Sequence, residues 1–430
     1  MKKEEQEKQN KNPKKNTKKQ TTKKVAEIKK EIKVEPRQKT KTEKVFQEKR
    51  YTLFDAILLI VLVCVASIIL TSSYMNKKFK RDSLLCTPKL SRDKNLERFT
   101  TVYQEIIDNY FEKINKKEMI NEAITGMTDY LEDKYSIHMG DEESEIFNDQ
   151  LEGTYDGIGI VIQGTTIIDV YEKSPAEEAG IKKEDIILEM NDTEVTEENL
   201  SEIIDKIKEE KGENIKLKIK RNNKTYDYKV NTRTIEIPIV TADYIEMNKT
   251  KIGYIKISSF TNTSYKQFSD KLVDLEKKGI EKLIIDLRSN NGGYLDKATD
   301  ITQLFLEKGK VIYTLESKSK KEAKKDKTKD KRTYPIVVLI NGGTASASEI
   351  LAAALKDNNN AVIVGTKSYG KGKVQNTKKL SDGTILKYTS AKWLRPNGKS
   401  IDEVGITPDY EVENENDEDK QYEKALNLLK

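Results

Sequence analysis

The sequence predicts a multidomain α+β protein with a single N-terminal transmembrane helix, a helical segment, a module of short strands and an α/β core. Three observations predict this fold class. One apolar run near the N-terminus is free of charge, short strands crowd the middle of the chain, and apolar strands alternate with amphipathic helices in the last third. A chain of 430 residues is long enough for two or three domains.

Residues 1–50 form a basic tail that we expect to be disordered and cytoplasmic. The tail contains 19 Lys and Arg against 8 Glu, a net charge of +11, and it is poor in aromatic residues. Because the whole chain carries only +6, the rest of it carries −5. A body of this charge argues against nucleic acid as a partner.

Residues 51–75 are predicted to form the transmembrane helix. The stretch 56–70 has no charged residue, and with its flanks it reaches the length that a bilayer requires. The alternative is a cleaved signal peptide, but fifty residues precede the apolar run and no A-x-A pattern follows it. The flanks are nearly balanced, with 6 Lys and Arg in 36–50 and 5 in 76–90, so the long basic tail decides the orientation. We expect a single-pass cell-membrane protein whose body lies on the extracytoplasmic side.

A polar stalk at 76–96 leads to an N-terminal helical region at 97–147. Its apolar positions recur at helical spacing and form two faces, at Phe99, Val102, Ile106, Tyr110 and Phe111, and at Ile120, Ala123, Ile124, Met127 and Leu131. This pattern predicts a pair of helices that pack on each other or on a partner.

Few residues of this chain are suited to bind a metal. The two cysteines, Cys64 and Cys86, have no metal-site spacing, and Cys64 lies inside the apolar run, so we expect neither a zinc site nor an intrachain disulfide. The single histidine, His138, has no nucleophile pattern around it and is expected to be an ordinary surface or half-buried residue.

Residues 148–235 are predicted to form a compact module of short strands. The strand segments are TYDGIGIVI, TTIIDVY, DIILEMND, NIKLKIKR and KTYDYKVN, with SPAEEAGIKKED and a helix near 196–210 between them. From position 251 the strands KIGYIKI, KLIIDLR, PIVVLI and AVIVG alternate with helical segments, which predicts a mostly parallel, buried sheet. The lysine-rich run at 316–332 is predicted to be a solvated loop.

The segment NGGTASASEI, at 341–350, has the surroundings expected of a serine nucleophile. A serine hydroxyl needs a base within hydrogen-bond reach. Without a suitable histidine, the remaining base is a lysine whose pKa is lowered by burial. The segment GKGKVQ offers Lys371 between two glycines, which allow a tight backbone close to other parts of the chain, and Gln375 is placed to orient the amine. Lys373 is the competing base, and spacing alone leaves that choice open.

Ser346 falls at the start of a helix, with Glu349 three residues later as in a capping box. Free N–H groups at a helix start favour negative charge, so the N–H of Ala347 is a candidate donor to an oxyanion. The turn in IIDLRSNNGG offers Gly292 or Gly293 as the second donor. The alternative is that Ser346 is only a helix cap and the glycines are only turn residues.

These motifs resemble those of the C-terminal processing peptidases, serine proteases of the S41 type that carry an embedded PDZ domain. The resemblance runs from about Phe99 to Asp409. The family signature S-A-S-A-S-E is present as T-A-S-A-S-E, and G-K-G-x-V-Q follows with its lysine 25 positions after the serine. The resemblance implies Ser346 rather than Ser348 as nucleophile and Lys371 rather than Lys373 as base.

The chain departs from the family pattern at three positions, none of which removes a catalytic group. Asn291 replaces the proline of D-L-R-x-N-P-G-G, Lys134 replaces the proline of D-P-x-S, and Thr344 replaces the first serine of the signature. The segment WLRPNGKSIDEVGITPD is similar to the closing strand and loop of the family.

The resemblance also implies a domain organisation. Residues 148–235 would be the PDZ domain, residues 236–412 an S41 protease core with a crotonase-like α/β fold, and residues 413–430 a C-terminal helix or tail. In the PDZ domain, a carboxylate-binding loop would capture the C-terminus of a substrate. Its residues are Gly157, Ile158, Gly159 and Ile160.

The implied function is that of a membrane-anchored serine endopeptidase with protein or peptide substrates and no metal or cofactor. Ser346, Lys371 and Gln375 would be its catalytic residues, and a homodimer through the N-terminal helices is expected. Two alternatives stay open. One is a PDZ scaffold with an inactive core, and the other is a crotonase-type acyl-CoA enzyme, whose fold has the same strand, glycine turn and helix.

Overall fold

The computed structural model describes residues 65, 67, 69–72, 93–209, 212–329, 331–415 and 418–430. The predicted tail at 1–50 lies outside these residues, as do both cysteines, nearly all of the predicted transmembrane helix at 51–75 and most of the stalk at 76–96. Among the residues that are described, none of the helices combines the length and apolar composition needed to cross a bilayer. The chain divides into two compact units, Met1–Asp108 and Asn109–Lys430.

The described part of the first unit is mainly helix α1, which runs over Lys94–Asn109 and ends at the boundary with the second unit. No residue of α1 is buried, and the predicted apolar positions Phe99, Val102 and Ile106 are exposed. The predicted face is therefore present on a helix but is not covered within the described chain.

The second unit begins with helix α2 (Lys116–Asp129), strand β1 (Ile137–Met139) and helix α3 (Asp141–Glu152). Helices α1 and α2 contain most of the apolar positions predicted at helical spacing, whereas Tyr110, Phe111 and Leu131 lie just beyond their ends. His138 is buried in β1, where its Nε2 lies 3.2 Å from Thr384 Oγ1. It is more buried than expected, and its hydrogen bond is a structural one.

The module of short strands contains two sheets. Strands β2 (Thr154–Gly157) and β9 (Arg233–Glu236) pair with each other. The larger sheet has the order β3-β4-β5-β7-β8, with β6 on β5. Its strands are β3 (Ile160–Gln163), β4 (Thr166–Val170), β5 (Ile186–Met190), β6 (Thr193–Glu194), β7 (Asn214–Arg221) and β8 (Lys224–Asn231). Helices α4 (Pro175–Ala179) and α5 (Leu200–Glu209) complete the module.

A buried core and one ion pair hold this module together. Ile167, Ile215 and Ile219 are fully buried between the sheet and the helices. The buried Asp185 accepts two hydrogen bonds from Arg221, each of 2.6 Å. A two-pronged pair of this kind fixes both side chains, and it closes the turn that precedes β5.

The α/β core is built on a six-stranded sheet of the order β10-β11-β12-β15-β16-β19. Its strands are β10 (Val240–Met247), β11 (Thr250–Ile257), β12 (Lys282–Asp286), β15 (Ile336–Ile340), β16 (Val362–Gly365) and β19 (Tyr410–Glu411). All neighbours are parallel except β10 and β11, which confirms the prediction of a mostly parallel sheet. Helices α6 (Ser264–Lys277), α7 (Leu295–Gln303) and α8 (Ala347–Asn359) pack on one face, and α9 (Lys420–Leu428) packs on the other.

A second, antiparallel sheet lies beside the first. Its order is β1-β18-β13-β14, with β17 also paired to β18. Its remaining strands are β13 (Val311–Ser317), β14 (Lys321–Lys325), β17 (Lys373–Lys379) and β18 (Ile385–Leu394). The prediction of a loop at 316–332 is wrong at β14 and at the last two residues of β13. All five residues of β14 are exposed, so the backbone pairs with β13 while the lysine side chains stay in water.

Candidate active site

Ser346 lies in the turn between β15 and α8 in a strained backbone conformation. Its φ of 57° and ψ of −116° lie in a region that non-glycine residues seldom occupy, and such strain persists only where the surroundings enforce it. The turn is anchored by Ala345 N–H, which donates to Asn290 O at 3.0 Å, and by Thr344 Oγ1, which donates to Leu287 O at 2.8 Å. The side chain of Ser346 lines a cavity as a result.

Ser348, the other serine of the motif, has a different place. It is fully buried, and its hydroxyl donates to Asn290 O at 2.9 Å. Asn290 is itself buried, and its Nδ2 donates to Ile257 O at 2.9 Å. Ser348 therefore fastens the nucleophile turn to the neighbouring loop and does not line the cavity of Ser346.

Glu349 joins the loop of Ser346 to the loop of Lys371. Its Oε2 accepts the backbone N–H of Ser346 at 2.8 Å and that of Lys371 at 2.9 Å. Its Oε1 accepts Ser368 Oγ at 2.6 Å and Gly370 N–H at 2.8 Å. Burial raises the pKa of this carboxyl, and the four hydrogen bonds oppose that rise. The sequence indicated Glu349 only as part of a capping box, and the link to Lys371 was missed.

Lys371 is half-buried, and burial lowers the pKa of its amine. The positive charge of Lys387 lowers that pKa further, whereas Tyr369, Glu349 and Asp133 act in the opposite direction. The amine lies 4.8 Å from the ring centre of Tyr135, a cation–π contact. The direction of this pKa shift favours the neutral amine that a lysine base requires.

The two glycines beside Lys371 confirm the prediction of a tight backbone. Gly370 has a φ of 88°, and a Cβ there would lie 2.9 Å from Gly405 N. A Cβ on Gly372 would lie 2.5 Å from Asp402 Cβ. Only glycine lets this loop pass so close to the segment that follows β18.

The competing lysine and the predicted orienting amide both make other contacts. Lys373 pairs with Asp133 at 3.6 Å and is absent from the described lining of the cavity. Gln375 lines the cavity, and its Nε2 donates to Thr389 Oγ1 at 3.5 Å. Within the described chain, no hydrogen bond joins the Lys371 amine to Gln375 or to Ser346.

The predicted oxyanion donors differ in availability. The N–H of Gly292 already donates to Asn290 Oδ1 at 2.9 Å. The N–H groups of Gly293 and Ala347 have no hydrogen-bond partner among the described residues. A Cβ on Gly292 would lie 3.0 Å from Ser346 Cβ and 3.1 Å from Ala347 N, so the two loops touch. Gly293 is therefore the donor that this loop can offer.

One cavity of about 430 Å³ brings these groups together. Ser346, Lys371, Gln375 and Gly293 line it, as do apolar side chains that include Leu295, Ile350 and Val374. A nucleophile, a lysine of lowered pKa and the free N–H of Gly293 at one cavity, with the free N–H of Ala347 next to the nucleophile, are suited to acyl transfer. In the described part of the chain, no three His, Cys, Asp or Glu side chains are placed to hold a metal ion.

The predicted peptide-binding residues run from the end of β2 through a short turn to the start of β3, and none of them lines this cavity. Gly157, Ile158 and Gly159 are buried, and Ile160 begins β3. Gly159 has a φ of 84°, and a Cβ there would lie 2.3 Å from Ser174 Cβ, so glycine is required.

The side chain of Tyr155 covers this loop. A Cβ on Gly157 would lie only 2.7 Å from Cε2 of its ring. Burial, together with the neighbouring Tyr171, raises the pKa of the Tyr155 hydroxyl to about 12, and the backbone of Gly159 opposes this rise through a hydrogen bond. The loop is formed, and a tyrosine ring lies against it.

Three segments of the chain match known families. Residues 251–412 match peptidase family S41, residues 137–232 match the PDZ domain, and residues 65–143 match the N-terminal domain of the activating protease CtpB.

The chain is also similar to whole proteins. It is 37% identical over 327 residues to the carboxy-terminal processing protease CtpA of Bacillus subtilis, covering 75% of this chain and 70% of the relative. It is 32% identical over 383 residues to a probable CtpA-like serine protease of Staphylococcus aureus, covering 87% of this chain and 75% of that protein. Among solved structures, the photosystem II D1 C-terminal processing protease is 22% identical, with a TM-score of 0.45, over 73% of this chain and 86% of that one.

Proposed function

Because this chain belongs to the C-terminal processing serine peptidases of family S41, which carry a PDZ domain, we propose that it is a membrane-anchored endopeptidase with a Ser346–Lys371 catalytic pair. One observation carries the proposal. Ser346 and Lys371 line the same cavity, beside the unbonded N–H groups of Gly293 and Ala347.

The reaction begins with attack of Ser346 Oγ on the carbonyl carbon of the scissile peptide bond. The neutral amine of Lys371 accepts the hydroxyl proton, and the N–H groups of Gly293 and Ala347 hold the oxyanion. The tetrahedral intermediate then collapses, the C–N bond breaks, and the Lys371 ammonium gives its proton to the leaving amine. A water molecule, deprotonated by Lys371, hydrolyses the acyl-enzyme in the same way.

The structure represents a resting arrangement in this proposal. The Lys371 amine lies over the Tyr135 ring, and Gln375 is bonded to Thr389. Catalytic hydrogen bonds are often long or absent until a substrate is bound. In the active arrangement, the Lys371 amine turns from Tyr135 to Ser346, and the amide of Gln375 fixes its direction.

We propose that the PDZ loop at 157–160 binds the C-terminal carboxylate of the substrate. Glycine-rich PDZ loops capture a carboxylate with backbone N–H groups. The Tyr155 ring would border the bound C-terminus in this proposal, since it lies 2.7 Å from the position of a Cβ on Gly157.

This binding mode predicts that the free carboxylate of a substrate matters. An unstructured protein whose C-terminus is amidated is expected to show a KM raised about tenfold, with little change in kcat, because a charge-assisted hydrogen bond is lost on binding. The measurement is steady-state cleavage by the full-length protein. A peptide that is too short to reach the PDZ loop, and whose scissile bond lies more than three residues from its C-terminus, is the control and should be cleaved equally well in both forms. Equal KM values for the two proteins would contradict C-terminal capture.

The N-terminal part of the chain completes the proposal. The tail at 1–50, the membrane helix at 51–75 and the stalk at 76–96 would place the protease domain on the extracytoplasmic side. The helical region at 97–147 would pair two copies of the chain. The exposed Tyr110, Phe111, Met127 and Leu131 support this pairing.

Membrane anchoring predicts that the full-length chain stays in the membrane fraction after an alkaline carbonate wash, whereas a chain without residues 1–75 is released. An apolar helix of about 20 residues resists such a wash because its extraction exposes the whole apolar surface to water. Release of the full-length chain by carbonate would contradict the anchor.

The mass of the detergent-solubilised chain, corrected for detergent, tests the homodimer, and a monomer mass would contradict it.

A further inference from the structure

The cavity of Ser346 has an excess of positive charge. Three lysines line it, Lys371, Lys387 and Lys324, against a single carboxylate, that of Asp296. Asp296 itself lies 3.8 Å from the ammonium of Lys297. Since Lys371 acts as a neutral base in the proposed reaction, Lys387 and Lys324 are the lasting charges of the cavity.

Of these two lysines, Lys387 gives the stronger indication of a ligand-binding role. It lies on β18 and is half-buried, and burial lowers the pKa of its amine. Its amine lies 5.3 Å from the ring centre of Phe147, a residue of α3 that also lines the cavity. Within the described chain, no carboxylate lies within ion-pair distance of Lys387.

Other lysines of comparable burial do have such a partner. Lys356, which is also half-buried, pairs with Asp409 at 2.6 Å, and the half-buried Lys373 pairs with Asp133 at 3.6 Å. A desolvated ammonium without a counter-ion is unfavourable, and groups of this kind cluster at binding sites. The missing partner of Lys387 is therefore expected to come from outside the chain, through the cavity that it lines.

We propose that Lys387 is a specificity-determining residue that binds a carboxylate of the substrate close to the scissile bond. This inference rests on the proposed function, because it places the substrate in the cavity of Ser346. The carboxylate belongs either to an acidic side chain or to the C-terminus of the substrate, and both have the same chemistry.

The first arm of the test uses peptides of one sequence with Glu or Gln at each of the three positions on either side of the scissile bond. For the full-length protein, kcat/KM is expected to be about tenfold higher for Glu than for Gln at one position, as for a partly desolvated ion pair. In Lys387→Gln this ratio should fall to about one. In Lys387→Glu the ratio should fall below one, and a third peptide with Lys at that position should be cleaved better than the Glu peptide.

The second arm compares free and amidated C-termini in peptides whose scissile bond lies within three residues of the end. If only this preference disappears in Lys387→Gln, the carboxylate is the C-terminus of the substrate. Lys378→Gln is the matched control, because Lys378 is exposed on the neighbouring β17 and is absent from the described cavity lining. It should keep the wild-type ratios, and Lys387→Arg should keep them because it keeps the charge.

The outcomes separate this inference from the proposed function. Cleavage of all the peptides by the wild type, with ratios near one in both arms, would overturn the role of Lys387 and leave the proposed peptidase intact. Ratios above one that persist in Lys387→Gln would overturn it as well. If the wild type cleaves none of the peptides, both the function proposed for the cavity and the role of Lys387 fail.

Discussion

Ser346→Ala and Lys371→Met are each expected to lower kcat for protein cleavage by at least about 10³-fold, and the double variant is expected to be no worse than either single variant. The first change removes the attacking oxygen, and the second removes the group that accepts its proton. Because the two side chains act in one step, their losses do not add. The measurement is single-turnover cleavage of an unstructured protein at saturating enzyme.

The pH dependence of the wild type tests the role of Lys371 separately. Only the neutral amine accepts a proton, so kcat/KM is expected to rise as pH increases through the pKa of Lys371. Burial and the charge of Lys387 lower that pKa, so the midpoint of the rise should lie below the ordinary pKa of a lysine amine. Activity should be lost as pH falls through the same value, because the ammonium cannot act as a base.

Lys373→Met is the matched control for this prediction. Lys373 is two positions from Lys371 on the same segment, but it pairs with Asp133 and is not among the described residues that line the cavity. Its loss should change kcat by no more than a few-fold. Cleavage that survives in Lys371→Met would contradict the proposed mechanism. Both inactive variants should still bind a C-terminal peptide, which separates loss of chemistry from loss of the PDZ domain.

Local patterns in the sequence predicted much of the fold. Strands β7 and β8 coincide with the segments predicted for them, because alternating apolar residues between turn residues specify a strand locally. The continuous apolar run of β15, buried at every position, predicted a buried strand of a mostly parallel sheet, because a strand covered on both faces is apolar throughout. Strand β14 could not be predicted in this way. Its exposed lysines form no pattern, and its pairing depends on β13.

The site was predictable in its residue types but not in its connections. Burial of Lys371 depends on contacts between segments far apart in the chain. The hydrogen bond that occupies Gly292 N–H is accepted by Asn290, two residues away, whose side chain also donates to the distant Ile257 O. The Tyr135 ring that lies beside the Lys371 amine comes from a third such segment. A sequence motif shows which groups meet. It does not show which of their hydrogen bonds are already used.

The second large effect is expected at Glu349, whose hydrogen bonds join the loops of Ser346 and Lys371 and were not predicted from the sequence. Glu349→Gln is expected to lower kcat by about 10²-fold, because the variant misaligns Ser346 and Lys371. Each carboxylate oxygen accepts two donors, and each is bonded to at least one backbone N–H. In either orientation, the amide NH₂ would face one of these pairs of donors. A buried N–H left without an acceptor costs about 1–3 kcal/mol, so the loops must move.

Ser368→Ala separates this alignment from ordinary stability. The change removes one donor to Glu349 and also the acceptor of Ile406 N–H, which lies 2.7 Å from Ser368 Oγ. It leaves the bonds of Glu349 to Ser346 and Lys371 in place. Both variants should therefore lower the melting temperature by about 5 °C, but only Glu349→Gln should lose most of its kcat. A folded Glu349→Gln variant with a kcat near that of Ser368→Ala would show that Glu349 stabilises the core without positioning the catalytic pair.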